Sequence, residues 1–267
     1  MGLLGRGLGG LLGGSSLWSL ADLGVSGFWI DAQAPSTFTL AGSEISEVAN
    51  KLNPSQLFSE VTSSLRPTYT LTSFNSGYPS MLFDGLDDRL TASFNTTAVG
   101  LETFILVAHV TNTSLDNTIC SDLNSVGSLY NIRSRPGAVF DWNVTGFIDG
   151  VDGNRGLNNG GIGTPAIIIG RRSLSLNTIQ LYRNGTLGKS TTITTSDVDA
   201  SRLFRLGMRP NVGTSAEAHY KGYISELFVS QTYISDADLV KAFGYAAHKW
   251  GLQAGLPSNH LYKNSPP

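Results

Sequence analysis

Charge is scarce in this chain. Asp, Glu, Lys and Arg make up 14% of its 267 residues, against about 25% in an average soluble domain. The 18 basic and 20 acidic residues leave a net charge of −2, with no basic block. Binding to a phosphate backbone needs clustered cations, so nucleic acid is not an expected partner. Cysteine is limited to Cys120, which excludes an internal disulfide, and no Cys/His spacing suggests a zinc site. That usage suits folding in a reducing cytoplasm. No apolar stretch approaches the roughly 20 residues of a membrane-spanning helix, so no membrane insertion is expected. The hydrophobic content of 40% is still enough for a substantial core.

Glycine, in contrast, is abundant and concentrated at the start. MGLLGRGLGGLLGG holds seven glycines and five leucines in fourteen residues. Glycines interrupt the apolar core of roughly 7–15 residues that a secretory signal requires. Arg6 stands where a myristoylation signal wants Ser or Thr. Each Gly also costs about 1 kcal/mol of helix propensity relative to Ala. Small residues let another backbone approach closely, while Leu3, Leu4, Leu8, Leu11 and Leu12 need cover. We read residues 1–24 as an anchoring arm that orders against a partner, Arg6 being the one charge of its repeat. The bland alternative is a loose terminus.

From about residue 25 to 230, short alternating or β-branched runs are separated by turn residues. FWID (28–31), STFTLAG (36–42), SMLFDG (80–85), SLYNIRS (128–134), AVFDWNV (138–144), PAIIIGRR (165–172), LFRLGM (203–208) and GYISELFVS (222–230) read as strands. TFILVAHV (103–110) is apolar throughout, the pattern of a strand buried on both faces. TIQLYRNG (178–185) ends in Asn184-Gly185, a strong hairpin signal because a type I′ turn needs positive φ at both central residues. This rhythm predicts an all-β fold, an antiparallel sandwich or barrel. One helix is predicted after Ser235, its N-cap, with Asp236 and Asp238 favourable near the positive helix end. Leu239, Phe243, Ala246, Ala247 and Trp250 share one face, and Gly251 suits the C′ position. The helix is expected to cover an edge or end of the sandwich.

FWIDAQAPSTFTLAGSEISEVANK (28–51), RPTY (66–69), MLFDGLDDRL (81–90), YRNG (182–185) and GYISELFVSQTYISDADLVKAFGYAAHKWGL (222–252) occur in that order. Together they resemble the concanavalin A-like, laminin-G-type jelly roll of phage structural and bacterial surface proteins. The likeness spans about residues 28–252. It implies an antiparallel jelly-roll sandwich with a short C-terminal helix: an arm at 1–24, a jelly roll at 25–252 and a tail at 253–267. The chain departs from the pattern at Val48 and Asn50, where the family often has Trp and Asp. Fold alone does not fix function.

The residues themselves narrow the chemistry. In FDGLDD, Phe83 points inward, Asp84 and Gly85 make the turn, and Asp87 and Asp88 accept backbone N–H bonds in it; the three carboxylates could instead offer oxygens to calcium. Asp149, Asp152 and Asn154, in the Gly/Asn-rich stretch 145–164, form a second candidate Ca2+ set without EF-hand spacing. No Glu-x-Asp-x-x-Glu strand of paired carboxylates and no Gly-x-Ser-x-Gly elbow is present. His109, His219, His248 and His260 are dispersed in sequence, and His109 reads as a packed residue. An enzyme is therefore not expected. The best local sugar-binding set is Trp142 with Tyr130, Arg133, Asn158 and Asn159, although Trp142 alternates with Phe140 and Val144 as core residues do. The expectation is a virion structural protein of a phage, assembled in the host cytoplasm: a decoration, spike or fibre component. It would be held to other virion proteins by its arm, form a homo-oligomer with a trimer favoured, and contact host-surface glycans. The alternative is a non-catalytic carbohydrate-binding module of a bacterial surface protein, followed by a polysaccharide hydrolase or lyase.

Overall fold

A computed structural model describes residues 17–97, 102–112, 114, 117–122, 131–135, 139–143, 163–173, 175–192, 201–209 and 218–267. In chain order its strands are β1 (Gly27–Asp31), β2 (Phe38–Ala41), β3 (Glu44–Asn50), β4 (Asn53–Ser59), β5 (Thr68–Phe74), β6 (Tyr78–Asp84), β7 (Leu90–Thr97), β8 (Thr103–Val110) and β9 (Asn117–Asp122). They continue with β10 (Asn131–Arg135), β11 (Val139–Asn143), β12 (Ala166–Ser173), β13 (Thr178–Arg183), β14 (Thr186–Thr192), β15 (Ser201–Leu206), β16 (Met208–Arg209), β17 (Ala218–His219) and β18 (Lys221–Ser230). The helix α1 (Asp236–Trp250) follows. Residues 1–16, which carry the arm leucines and Arg6, lie outside the described residues.

Antiparallel pairing runs β11–β10–β9–β15–β7–β4–β3–β5–β6–β18–β8–β12–β13–β14, with β2 beside β3 and β1 beside β18. The link between β3 and β5 is the pair Glu44 and Thr68. Around this link the strands fold into two facing sheets. Phe28 of β1 meets Phe58 of β4 and Phe204 of β15 across the interface, with ring centroids 5.2 and 5.7 Å apart. The main core lies between the sheets, where Ile45, Val48, Phe58 and Leu206 of one oppose Phe104, Leu106, Ile168 and Leu227 of the other. This is the antiparallel β-sandwich with one C-terminal helix that the sequence predicts.

A second core explains the unbroken apolar run of β8. Phe104, Leu106 and Ala108 enter the first core, while Ile105 and Val107 face Phe243, Ala246, Ala247 and Trp250 of α1. The helix thus lies across the outer face of central strands β8 and β12 rather than at an edge or end of the sandwich. The reason is local: Ile167 and Ile169 of β12 add to that face, so its centre has the most apolar surface to cover. Ser235 caps the helix, its Oγ accepting the Asp238 N–H at 3.1 Å, and Gly251 ends it in the left-handed conformation. Residues 17–23 dock on the same layer. Leu20 is buried, and the Trp18 ring packs 5.9 Å from the Tyr245 ring.

One bulge fixes how the helix sits. Pairing of β18 with β8 slips between Ile224 and Glu226, so Ser225 is an extra residue in the ladder. Ile224 and Leu227 both enter the first core despite their spacing of three, and Glu226 turns to the helix side. A bulge re-aims side chains in this way. Directly opposite Glu226 in the β1 ladder stands Asp31, and two carboxylates so placed repel. Lys249 from the helix enters between them, with Nζ 2.8 Å from Asp31 Oδ2 and 2.8 Å from Glu226 Oε1. Lys51 Nζ binds Asp31 at 2.6 Å. Trp29 Nε1 and the Tyr245 hydroxyl donate to Glu226 Oε1, and Trp250 Nε1 donates to Oε2 at 2.6 Å. Burial alone would raise the Asp31 carboxyl, but Lys249 and Lys51 outweigh it and hold it below the ordinary range. Burial and the Glu226 charge hold the Tyr245 phenol far above its ordinary value. At the other helix end the buried Arg171 donates to Asp236, the Ile234 carbonyl, Gln180 and Tyr182.

Removing one partner strands a buried charge, which costs about 3–5 kcal/mol. Urea unfolding is expected to show E226Q destabilised by about 3 kcal/mol. K249M should be similar, and the double variant less destabilised than the sum of the two. Additive losses would show that the groups act independently.

Candidate functional site

The sheet that does not carry the helix presents a row of polar residues on its outer face. Thr39 of β2 pairs with Glu47 of β3, Glu47 with Ser59 of β4, and Ser59 with Thr91 of β7. Thr91 pairs with Arg205 of β15, Arg205 with Ser121 of β9, and Ser121 with Asn131 of β10. Directly paired residues share a face. Their chain neighbours Val48, Phe58, Ala92, Leu206, Cys120 and Ile132 point into the core, which places the row outside. Thr39 is exposed, and Glu47, Ser59, Thr91 and Arg205 are half-buried. Arg205 Nε donates to Thr91 Oγ1 at 3.2 Å, holding the guanidinium against the sheet. Four strand spacings of about 4.8 Å give this open part a length of about 19 Å. Beyond it the row closes: Ser121 is buried and donates to the Met208 carbonyl at 2.8 Å, in the ribbon of β16 and β17.

The sequence-predicted sugar residues meet this face at its far end. Arg133 is buried in β10, opposite Asp141, and Trp142 is opposite Ile132 in the β10–β11 pair. Position 133 is thus in register with the outer face and position 142 with the inner. Tyr130, Asn158 and Asn159 lie outside the described residues, as do Asp149, Asp152 and Asn154 of the candidate calcium set. Glu47, Ser59, Thr91 and Arg205 were not legible as a group. They come from strands whose pairing joins distant parts of the chain, and β3, β4 and β7 give weak strand signals. In β3, Ile45 and Val48 read as helical spacing, because the slip between Thr39 and Leu40 in its pairing with β2 leaves Ser46 bulged.

No protein-family model and no curated protein matches the chain. Solved structures do. A Trypanosoma rangeli sialidase in complex with 2,3-difluoro-KDN superposes with a TM-score of 0.50 at 10% identity, over 79% of this chain and 31% of that one. The binding domain of botulinum neurotoxin serotype G gives 0.47 at 16% identity, over 75% and 51%. The CBM40 of a Ruminococcus gnavus IT-sialidase bound to α2,3 sialyllactose gives 0.43 at 17% identity, over 52% and 81%. At such identities the likeness is one of fold. The fold is an antiparallel β-sandwich. No helix among the described residues is long and apolar enough to cross a membrane.

The FDGLDD turn follows β6. Phe83 is buried, as its place in the motif predicts. Asp84 Oδ1 accepts the Leu86 and Asp87 N–H groups at 2.8 and 3.4 Å, and Asp88 Oδ2 accepts the Asp84 N–H at 2.8 Å. Oxygens of Asp84, Asp87 and Asp88 lie within 4.8 Å of one another. The turn chemistry is of the expected kind, but the accepting carboxylates are Asp84 and Asp88, not Asp87 and Asp88, because Asp84 at the turn's start reaches the next N–H groups. Burial is the main force pushing the Asp88 carboxyl up to about 7; the Asp84 N–H opposes it, and the charges of Asp84, Asp87 and Glu44 add to the rise.

A carboxyl raised on folding stabilises the fold while protonated, and that stability is lost as pH rises from the unfolded value of 3.8 toward 7. D88N lacks this loss. Its stability relative to the parent, followed by urea unfolding, is expected to improve across that range by at most about 1.4 kcal/mol per pH unit. A flat difference would show that Asp88 titrates normally.

Proposed function

We propose that the chain is a non-catalytic carbohydrate-binding module that holds glycan along the outer polar row from Thr39 to Arg205. The observation that carries this reading is the row itself. It sets hydroxyl, carboxylate and guanidinium groups in register, one per strand, on a rigid sheet. Sugars are rich in hydroxyls that both donate and accept, and Ser, Thr and Glu match them while Arg supplies a fork of donors. Groups fixed on strands lose little entropy on binding. An antiparallel β-sandwich agrees with this use, and the order of sequence motifs favours the concanavalin A-like, laminin-G-type class. The row contains a single carboxylate, Glu47, which is half of the pair that glycoside hydrolysis needs.

Anchorage in an assembly is a second reading, favoured by the docking of Trp18 and Leu20 on α1. The segment that follows residues 1–16 thus lies on the helix layer, away from the polar row. In a virion, the arm would then bind other particle proteins while the row faces the host surface.

Glycan-array screening of the full chain is expected to find a bound glycan. E47A and R205M should each weaken it at least about tenfold, corresponding to about 1.4 kcal/mol, with unfolding midpoints near the parent's. Absence of binding to any glycan sinks the reading. For the assembly reading, light scattering should show that removing residues 1–16 turns an oligomer into a folded monomer; an unchanged mass argues against it.

A further inference from the structure

Beyond α1 the chain doubles back. Residues 252–267 lie on the helix and on the β13–β14 hairpin, whose turn residues Asn184 and Gly185 touch Gly255, Pro257 and His260. His248 of α1 holds this tail through Tyr262, and His260 bonds the same residue from within the tail, fixing its backbone against the helix. His248 Nε2 lies 2.9 Å from the Tyr262 carbonyl, and Gln253 Nε2 lies 3.3 Å from His248 Nδ1. The Tyr262 N–H donates to His260 Nδ1 at 3.2 Å. Tyr262 itself packs where Gly244 leaves space, since a Cβ on that glycine would come 2.4 Å from the Tyr262 Cβ. At the end of the tail, the Pro267 carbonyl accepts the Trp18 N–H at 3.3 Å.

His260 is placed so that only its neutral form fits. An Nδ1 that accepts a hydrogen bond carries no proton, so the ring proton is on Nε2. That Nε2 is buried and has no partner. A second proton would sit on Nδ1 and face the Tyr262 N–H, donor against donor, and would leave a cation without an acceptor. The edge of Phe243 lies on one side, with ring centroids 6.5 Å apart. The helix α1 carries Asp236, Asp238, Lys241, Tyr245, His248 and Lys249, the hairpin Tyr182, Arg183 and Lys189, and the tail Tyr262 and Lys263; of these charges, that of Lys263 bears on the ring, and it opposes protonation. Lys263 is itself committed to the Ala254 and Leu256 carbonyls, at 3.0 and 2.6 Å. The carboxylates of α1, Asp236 and Asp238, do not offset a charge on this ring.

We propose that residues 252–267 form an acid-released strap, in which protonation of His260 breaks its bond to Tyr262 and undocks the tail from α1 and the β13–β14 hairpin. The sign follows from linkage. Burial, reinforced by Lys263, holds the docked ring below its ordinary value of 6.5. Docking is therefore fully favourable above that value and is lost as pH falls through it. Release would uncover the helix surface at Gly244 and free Trp18 from Pro267, loosening the segment that leads into residues 1–16. A particle or surface protein entering an acidic compartment would then change its terminal contacts while the sandwich stays folded.

Hydrogen–deuterium exchange of the full chain, corrected for intrinsic rates, tests this at about pH 7.5 and about pH 5. Protection of amides 258–263 is expected to fall by up to about tenfold per pH unit below 6.5, while β8 and β12 keep theirs. H260N should abolish the pH effect and H248N should retain it. An acid-insensitive tail, an effect that persists in H260N, or equal loss across β8 overturns the proposal. If H260N does not fold, NMR titration of the His260 ring in the parent decides. Its midpoint must coincide with that of tail release, and separate midpoints overturn it.

Discussion

The Glu226 carboxylate, fully buried between sheet and helix, constrains the rest of the structure. An isolated charge in that position would be prohibitively costly. It is tolerated because three side-chain N–H and O–H donors and one ammonium converge on it. Those donors come from β1 and from the last two turns of α1. The network can therefore be complete only when the helix lies at one angle and one register on β18 and β1. The charges also balance: Asp31 and Glu226 are matched by Lys51 and Lys249. Buried ion pairs contribute little net stability over apolar packing. Docking is driven by residues such as Phe243, Trp250, Ile105 and Ile167, each worth about 1.5–3 kcal/mol on full burial. The network selects among the ways that apolar surface could be covered.

This division of labour explains which features could be read from the sequence. The helix was legible from Ser235 to Gly251 because capping and apolar spacing are local. The run at β8 and the Asn184-Gly185 turn, with φ of 47° and 84°, are local as well. Glu226 was not legible. At strict strand period it would share a face with Ile224 and Phe228, and nothing in ISELF announces the bulge at Ser225. The same holds for β3, where a bulged Ser46 disguises the alternation. In β15, expected to run to Met208, the chain leaves the sheet after Leu206 and Met208 joins a separate ribbon. The polar row was the least accessible feature. Arg205 and Thr91 are 114 residues apart, and only the sheet register makes them neighbours.

The two sheets are therefore under different demands. The central strands of the helix-bearing sheet, β18, β8 and β12, are buried on both faces and carry the charges that must be matched internally. Substitutions there act mainly through packing and stranded charge. The other sheet buries one face, and its outer residues are freer to be selected for recognition. Its polar row rests on core residues on the same strands. Phe58 beneath Ser59 and Leu206 beside Arg205 are fully buried, which fixes the backbone that presents the outer groups.

Placement of the terminal segments follows the same logic. Trp18, Leu20 and the tail through Pro267 all add to the helix layer, so contacts made through them lie on the side of the molecule opposite the polar row. An attachment there and a glycan on the row would not compete for space. They would communicate only through the second core and the Glu226 network, which is rigid because every member is bonded. A change confined to the tail would alter attachment without deforming the row. On the proposed reading, recognition and anchorage would thus be separable, because the buried charges hold the layers between them in a single arrangement.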